Sequence, residues 1–229
     1  MERDEVLERL RSLANPDAVA GMARYGIAAE QAFGVSMPEL RKLGKEIGTD
    51  HKLAAQLWQA GIRETRILAS IIDDPQLVTE EQMDGWAGDF DSWEICDQCC
   101  MNLFARTPFA RRKCVEWSAR EEEFVKRAAF ALMARLAVSD KRAPDDIFEQ
   151  FLPLIKREAT DSRNMVKKGV SWALRQIGKR NLNLCAKAIA TAEEMRRMNS
   201  RSARWIANDA LRELTSEAVQ ERLRRKECR

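Results

Sequence analysis

Two groups of side chains in this sequence have the types and spacing to do chemistry. The first is Asp91-Ser92-Trp93-Glu94-Ile95-Cys96-Asp97-Gln98-Cys99-Cys100. On a helix starting at Ser92, Trp93 and Asp97 stand one turn apart on a face continued by Cys100 and Phe104, and Ile95, Cys99 and Leu103 form a second apolar stripe. A carboxylate on a face of Trp, Cys and Phe is costly to bury unless it is partnered. It is either a structural acid, capping a helix or paired with an arginine, or a functional carboxylate beside an aromatic wall in a semi-dry cleft.

The second group lies on a helix starting near Val166. At 100° per residue, Val166, Val170, Ala173, Leu174 and Ile177 share a core face, and Lys168, Trp172, Arg175 and Lys179 fall together on the opposite side. A tryptophan among three cations, opposite the core, reads as part of a binding surface; the alternative is that Trp172 packs on a neighbouring repeat. The same wheel places Arg201, Trp205, Asp209 and Arg212 on the corresponding face of a later helix, and Arg127 where Lys168 sits on an earlier one. Cations neutralise phosphates and release counterions, and an indole stacks on bases, sugars or cationic groups. The pattern points to nucleic acid.

The elements that must carry these residues are helices. Ser36-x-x-Glu39 is a capping box with Pro38 in the first turn and Gly48 as a stop; Asn15-Pro16 and Thr107-Pro108 read as N-cap followed by N1 proline; Thr79-x-x-Gln82 is a further box; and Gly61 closes the helix that contains Trp58. Strand signals are nearly absent, so the chain is expected to be all-α, with roughly a dozen helices joined by short loops. Beneath this runs a repeat. Val125-Lys126-Arg127-Ala128 is echoed by Val166-Lys167-Lys168-Gly169 and then by Ala203-Arg204-Trp205-Ile206. A period near 40 residues resembles HEAT repeats, which stack into a curved solenoid with a concave binding surface. Residues 1–229 are expected to form a single repeat domain.

Charge supports a polyanion partner for the second half. Residues 1–110 hold 11 Lys/Arg against 19 Asp/Glu, a balance of −8, and residues 111–229 hold 28 against 17, a balance of +11. Two solvated faces that happen to differ would give the same numbers. Cys96-x-x-Cys99-Cys100 has a superficial metal-site spacing, but there is no second Cys pair and the single histidine, His51, is remote, so buried core thiols are the expectation and no metal or cofactor is assigned. No run of about 18 apolar residues occurs and the start of the chain is acidic, so a cytoplasmic, monomeric protein is expected.

Four stretches together resemble the AlkD-like DNA alkylation repair family of HEAT-like glycosylases: Phe33-Gly34-Val35-Ser36-Met37-Pro38-Glu39-Leu40-Arg41, Ser92-Trp93-x3-Asp97, Val125-Lys126-Arg127-Ala128 and Val166-Lys167-Lys168-x3-Trp172-Ala173-Leu174-Arg175. The resemblance implies tandem helical repeats around a basic cleft that removes N3- and N7-alkylated purines from double-stranded DNA. It assigns the catalytic carboxylate to Asp97, cleft aromatics to Trp93 and Trp172, and a backbone contact near the lesion to Arg127. Lys168, Arg175, Lys179, Arg201, Trp205 and Arg212 are the further expected DNA ligands. Ser92 stands where the family's best-known members carry a second aromatic, and the Cys96–Cys100 continuation and the Trp205-bearing tail belong to a divergent branch. A non-catalytic repeat protein that binds DNA or RNA structure is the alternative.

Overall fold

The computed structural model describes residues 1–22, 24, 27 and 32–227, and among them every regular element is helical. Cys228 lies outside the described residues. The helices cluster into two compact units, residues 1–109 and 110–229.

The first unit contains α1 (Arg3–Ser12), α2 (Pro16–Met22), α3 (Met37–Ile47), α4 (His51–Gln59), α5 (Arg63–Ile72), α6 (Glu80–Gly88) and α7 (Trp93–Asn102), followed by a 3-10 turn at Phe104–Arg106. Its helix starts follow the local chemistry. Asn15 Oδ1 accepts from the Ala18 amide at the head of α2, Ser36 and Glu39 complete a capping box around α3, and Gly48 and Gly61 take the positive φ that ends α3 and α4. Thr79 caps α6, but the Gln82 side chain does not close the box: it reaches Asp73 at 2.7 Å. The core is aromatic around Trp58 and Trp86, whose rings stack at 4.0 Å, with Phe90 against Trp58 and Phe104 against Trp86. Such stacking adds about 0.5–1.5 kcal/mol to burial.

The second unit contains α8 (Ala110–Ser118), α9 (Glu123–Ser139), α10 (Asp145–Glu149), α11 (Phe151–Glu158), α12 (Asn164–Gly178), α13 (Leu182–Arg196), α14 (Arg201–Leu214) and α15 (Glu217–Glu227). Here α8, α11 and α13 pack in one row and α9, α12 and α14 in another, each first helix against its own second helix, which is a two-layer stack of HEAT-like pairs. Thr107-Pro108 does not open α8. The Thr107 hydroxyl donates back to the Phe104 carbonyl, closing the preceding 3-10 turn, and the helix starts at Ala110.

Hydrogen bonds between successive repeats give the period directly. In the second unit they join residues 38 apart (Arg127–Met165, Ser171–Asp209, Arg175–Glu213), 39 apart (Arg157–Ser118) and 41 apart (Ser202–Asp161). In the first unit the corresponding separations are 31 (Phe33–Glu64, Trp58–Asp89, Arg63–Glu94) and 32 (Asn102–Ser70). The first half therefore repeats too, with a unit shorter than 40 residues.

Candidate functional site

In the first unit the candidate residues sit on α7. Ser92 is its N-cap in extended conformation; the Ser92 hydroxyl is buried and finds no hydrogen-bond partner. Trp93, the first helical residue, is half-buried, and Asp97, one turn on, is buried at 8% exposure. Cys96, Cys99 and Cys100 are fully buried around it. Burial, with Cys96 beside it, pushes the Cys99 thiol well above its usual range, and burial likewise raises Cys114, so these sulfurs stay protonated and pack as small apolar groups. The face expected to run from Trp93 to Phe104 on one helix breaks at Asn102, where α7 ends, and Phe104 belongs to the 3-10 turn.

The start of α7 is held by a buried ion cluster that sequence reasoning did not anticipate. Arg63 forks onto Glu94, Nε to Oε2 at 2.7 Å and Nη2 to Oε1 at 2.6 Å, and its Nη1 also donates to Glu64 Oε1 at 2.8 Å. Glu64, fully buried, accepts from the amides of Phe33, Gly34 and Val35. Buried carboxylates of this kind survive only when fully hydrogen-bonded. The Phe33-Gly34-Val35 stretch is thus a clasp for Glu64, and through Arg63 that clasp fixes the first turn of α7. Gly34 is required there: its φ is +79°, and a Cβ would lie 2.2 Å from the Asn15 carbonyl oxygen. His51, the lone histidine, is taken up by Asp73, Nδ1 to Oδ1 at 2.6 Å.

In the second unit, Arg127 on α9 is buried at 6% exposure, and its Nη1 donates to the Met165 carbonyl at the head of α12 at 2.7 Å. Trp172 is half-buried, intermediate between core and surface. With the Gln176 amide turned so that its oxygen faces the indole, Trp172 Nε1 donates to it at 3.2 Å and Lys179 Nζ at 3.3 Å.

The stripe on α12 is less free than its wheel implies. Arg175 Nη1 meets Glu213 Oε2 at 2.6 Å and its Nε lies 3.3 Å from Asp209 Oδ2, while Lys179 Nζ meets Glu213 Oε1 at 2.5 Å. Ser171 donates to Asp209 at 2.7 Å. Burial raises the Glu213 carboxyl, but its bonds to Lys179 and Arg175 outweigh this and hold it below the usual range. Of the three cations only Lys168 is exposed, and it has no carboxylate partner among the described residues. On α14, Arg201 is exposed, Arg212 is exposed while paired with Asp209 at 2.7 Å, and Trp205 is 42% exposed with Lys167 Nζ 4.8 Å over its ring. Asp209 was visible among the residues of the α14 face. Glu213, four positions later on the same helix, was the signal that its neighbours on α12 would be neutralised.

Among the described residues no group of three or more His, Cys, Asp or Glu is placed to hold a metal ion, and no helix is long and apolar enough to cross a membrane. The family model described as DNA alkylation repair enzyme matches residues 6–214. A solved structure from a family related to the HEAT-like repeat DNA glycosylases, with affinity for branched DNA structures, superposes with a TM-score of 0.77 at 20% identity, covering 93% of this chain and 95% of that one. A designed armadillo repeat protein in complex with a (KR)4 peptide reaches a TM-score of only 0.35 at 15% identity, covering 81% of this chain and 79% of its own, and has no bearing on the fold. No curated protein matches the sequence.

Proposed function

Because this chain belongs to the DNA alkylation repair enzyme family, we propose that it is a monofunctional DNA glycosylase that hydrolyses the N-glycosidic bond of N3- and N7-alkylated purines in double-stranded DNA. The observation that carries the reading is Asp97, a buried carboxylate one turn after half-buried Trp93 on a helix whose start is clamped by Arg63 and Glu94. An alkylated purine of this class is already cationic. When its bond to C1′ breaks, the electron pair goes with the base, which departs neutral without an acid to protonate it. The sugar becomes oxocarbenium-like, and a fixed negative charge beneath it lowers the barrier. Asp97 supplies that charge and orients the water, which adds to C1′ through oxygen and releases its extra proton to solvent. Trp93 is the aromatic surface proposed beside Asp97 in the first unit; in the second unit Trp172 is the proposed aromatic contact to DNA, and Arg127, Lys168, Arg175, Lys179, Arg201, Trp205 and Arg212 are the proposed backbone and base contacts. No lysine Schiff base takes part, so the strand is left uncut. We read the protein as a cytoplasmic monomer that needs no cofactor.

The test is release of free base. Duplex DNA methylated at purine N3 and N7 is incubated with the protein and the supernatant analysed for free methylpurines. Their release with intact, abasic strands supports the reading, and tight binding without release defeats it.

A second reading, a non-catalytic binder of nucleic-acid structure, is favoured by one feature of α14: an exposed Trp205 backed by Lys167 is a platform for an unpaired base, as at a branch point. Preference for a four-way junction over plain duplex, lost on Trp205→Ala, distinguishes it.

A further inference from the structure

One cleft in the second unit shares only Lys179 with the contacts proposed above. It has a volume of about 570 Å³ and is walled by the end of α9, the turn into α10, the end of α12 and one face of α15. Five cations line it: Lys141, Lys179, Arg180, Arg222 and Lys226; the only acid on the wall is Asp145. Asp145 is already occupied by the amides of Asn181 and Asn183, at 2.7 and 2.8 Å, and Lys179 is neutralised by Glu213. Asp140, which also feels the charge of Arg180, is engaged by Arg111 at 2.8 Å, and Glu213 is shared with Arg175, so the lining carries an excess of positive charge.

Two of the cations, half-buried Arg180 and exposed Lys226, are held by uncharged groups. Arg180 donates to the carbonyls of Ala137 and Ala143, at 3.2 and 2.7 Å, with its guanidinium 4.3 Å over the Phe148 ring. Lys226 donates to the carbonyls of Lys179 and Arg180 at 3.3 and 3.4 Å. Lys141 and Arg222 are exposed and have no carboxylate partner among the described residues. Burial, and then the charges of Arg222, Lys141 and Arg180, lower the Lys226 ammonium below its usual range, as expected where like charges converge without a counterion. A fold that places fixed guanidinium and ammonium groups around an open space, at an electrostatic cost, is built to receive an anion with several acceptor oxygens.

We propose that this cleft is a phosphate-binding site, with Arg180 and Lys226 as its fixed floor and Lys141 and Arg222 closing on the ligand from the rim. The phosphate comes either from the nucleic-acid backbone, which rests on the DNA-binding reading above, or from a small phosphorylated molecule, which does not.

The experiment compares the intact protein with the double variant Lys141→Ala/Arg222→Ala, two exposed side chains whose loss leaves the folded melt unchanged. Inorganic pyrophosphate is titrated calorimetrically into each, and duplex binding is measured across a salt series. The site predicts that pyrophosphate binds the intact protein and binds the variant at least tenfold more weakly. If the source is the backbone, pyrophosphate also competes with duplex, and the variant's log–log salt slope falls by about 1.8 for two lost phosphate contacts. Weakened pyrophosphate binding with an unchanged slope assigns the site to a small phosphorylated ligand. A changed slope without pyrophosphate binding assigns it to the diester backbone. If pyrophosphate does not bind and the salt slope is the same in both proteins, the proposal is overturned. Base release plays no part in any arm, so a failure of the glycosylase reading remains a separate result.

Discussion

At the residue scale, Asp97 and Trp172 separate chemistry from architecture. Asp97 is buried among Cys96, Cys99 and Cys100, and the other carboxylate of α7, Glu94, is taken up by Arg63, so Asp97 is the charge of this helix proposed to face a substrate beside Trp93. Asp97→Asn keeps the shape and removes the charge. Base release is expected to fall by roughly 10²–10³, the scale for one fixed electrostatic group, with duplex affinity unchanged or slightly higher. Single-turnover excision checks it, and a wild-type rate would take Asp97 out of the chemistry. Trp172 is half-buried and linked to Gln176, which is neither a core position nor a free surface. Trp172→Ala is therefore expected to cost less than the roughly 3–5 kcal/mol of a fully buried aromatic, and to weaken lesion binding by about 1–3 kcal/mol through a lost stacking or cation–π contact. A thermal melt beside a binding titration decides: a large loss of stability with unaltered binding assigns the indole to packing.

At the scale of the element, the seam between α12 and α14 governs how much charge the second unit can offer. Glu213 holds both Arg175 and Lys179, and Asp209 takes Ser171, Arg175 and Arg212. These groups are partly buried, where an ion pair is worth more than on an open surface but also restrains the side chains it joins. Glu213→Gln should release Lys179 from its ion pair and leave Arg175 with Asp209 alone, at some expense in stability. Duplex affinity at low salt is expected to rise, and the log–log salt slope to steepen by about 0.9 for each freed cation that reaches a phosphate. An unchanged slope would mean that the stripe beyond Lys168 serves the stacking of repeats and not DNA. The same logic explains why α7 starts where it does. Arg63 and Glu94 stand 31 residues apart, one repeat of the first unit, and their bidentate bond sets the register between successive helices.

At the scale of the whole molecule, the charge division follows the two units: residues 1–109 carry the balance of −8 and residues 110–229 that of +11. The second unit depends on its carboxylates to hold that excess. Burial raises Asp161 and Glu213, but Arg163 and Lys126 for the first, and Lys179 and Arg175 for the second, bring both below their usual values; Asp140 is lowered mainly by Arg111. Each of these groups is a stronger acid folded than unfolded. Its stabilisation is complete above the unfolded values of 3.8 for Asp and 4.5 for Glu and is lost as pH falls through the lower folded values. Asp73 in the first unit has the opposite sign: burial raises it despite His51 and Gln82, so protonation there relieves strain in acid. Melting temperature is expected to hold down to about pH 4.5 and then drop, with the second unit's cation excess left unopposed. Circular dichroism melts from pH 6 to pH 3 measure it, and a flat profile would show that these ion pairs contribute nothing.

The helices, the caps at Asn15, Ser36 and Thr79 and the core face of α12 were legible in the sequence, because each depends on residues within a turn or two of one another; the start expected at Thr107-Pro108 and the α7 face expected to reach Phe104 were not met. Ser36, Gly48 and Gly61 sit where local hydrogen bonding and φ demand, and the core face of α12 from Val166 to Ile177 is buried as its period requires. The pairing of Trp93 with Asp97 on one helix was legible for the same reason, as was the forty-residue repeat of the second unit. What only the tertiary structure decided lies across the seams between repeats. The clasp on Glu64 reaches 29–31 positions, and Arg175 and Lys179 are met by Glu213 from 38 and 34 positions away. The five cations around the cleft come from three separate segments. A helical wheel says which way a side chain leaves its own helix, but whether its charge is free depends on the neighbouring helix. That partner is chosen by packing, at separations of 31 residues in one unit and about 38–41 in the other, which no single period could have supplied.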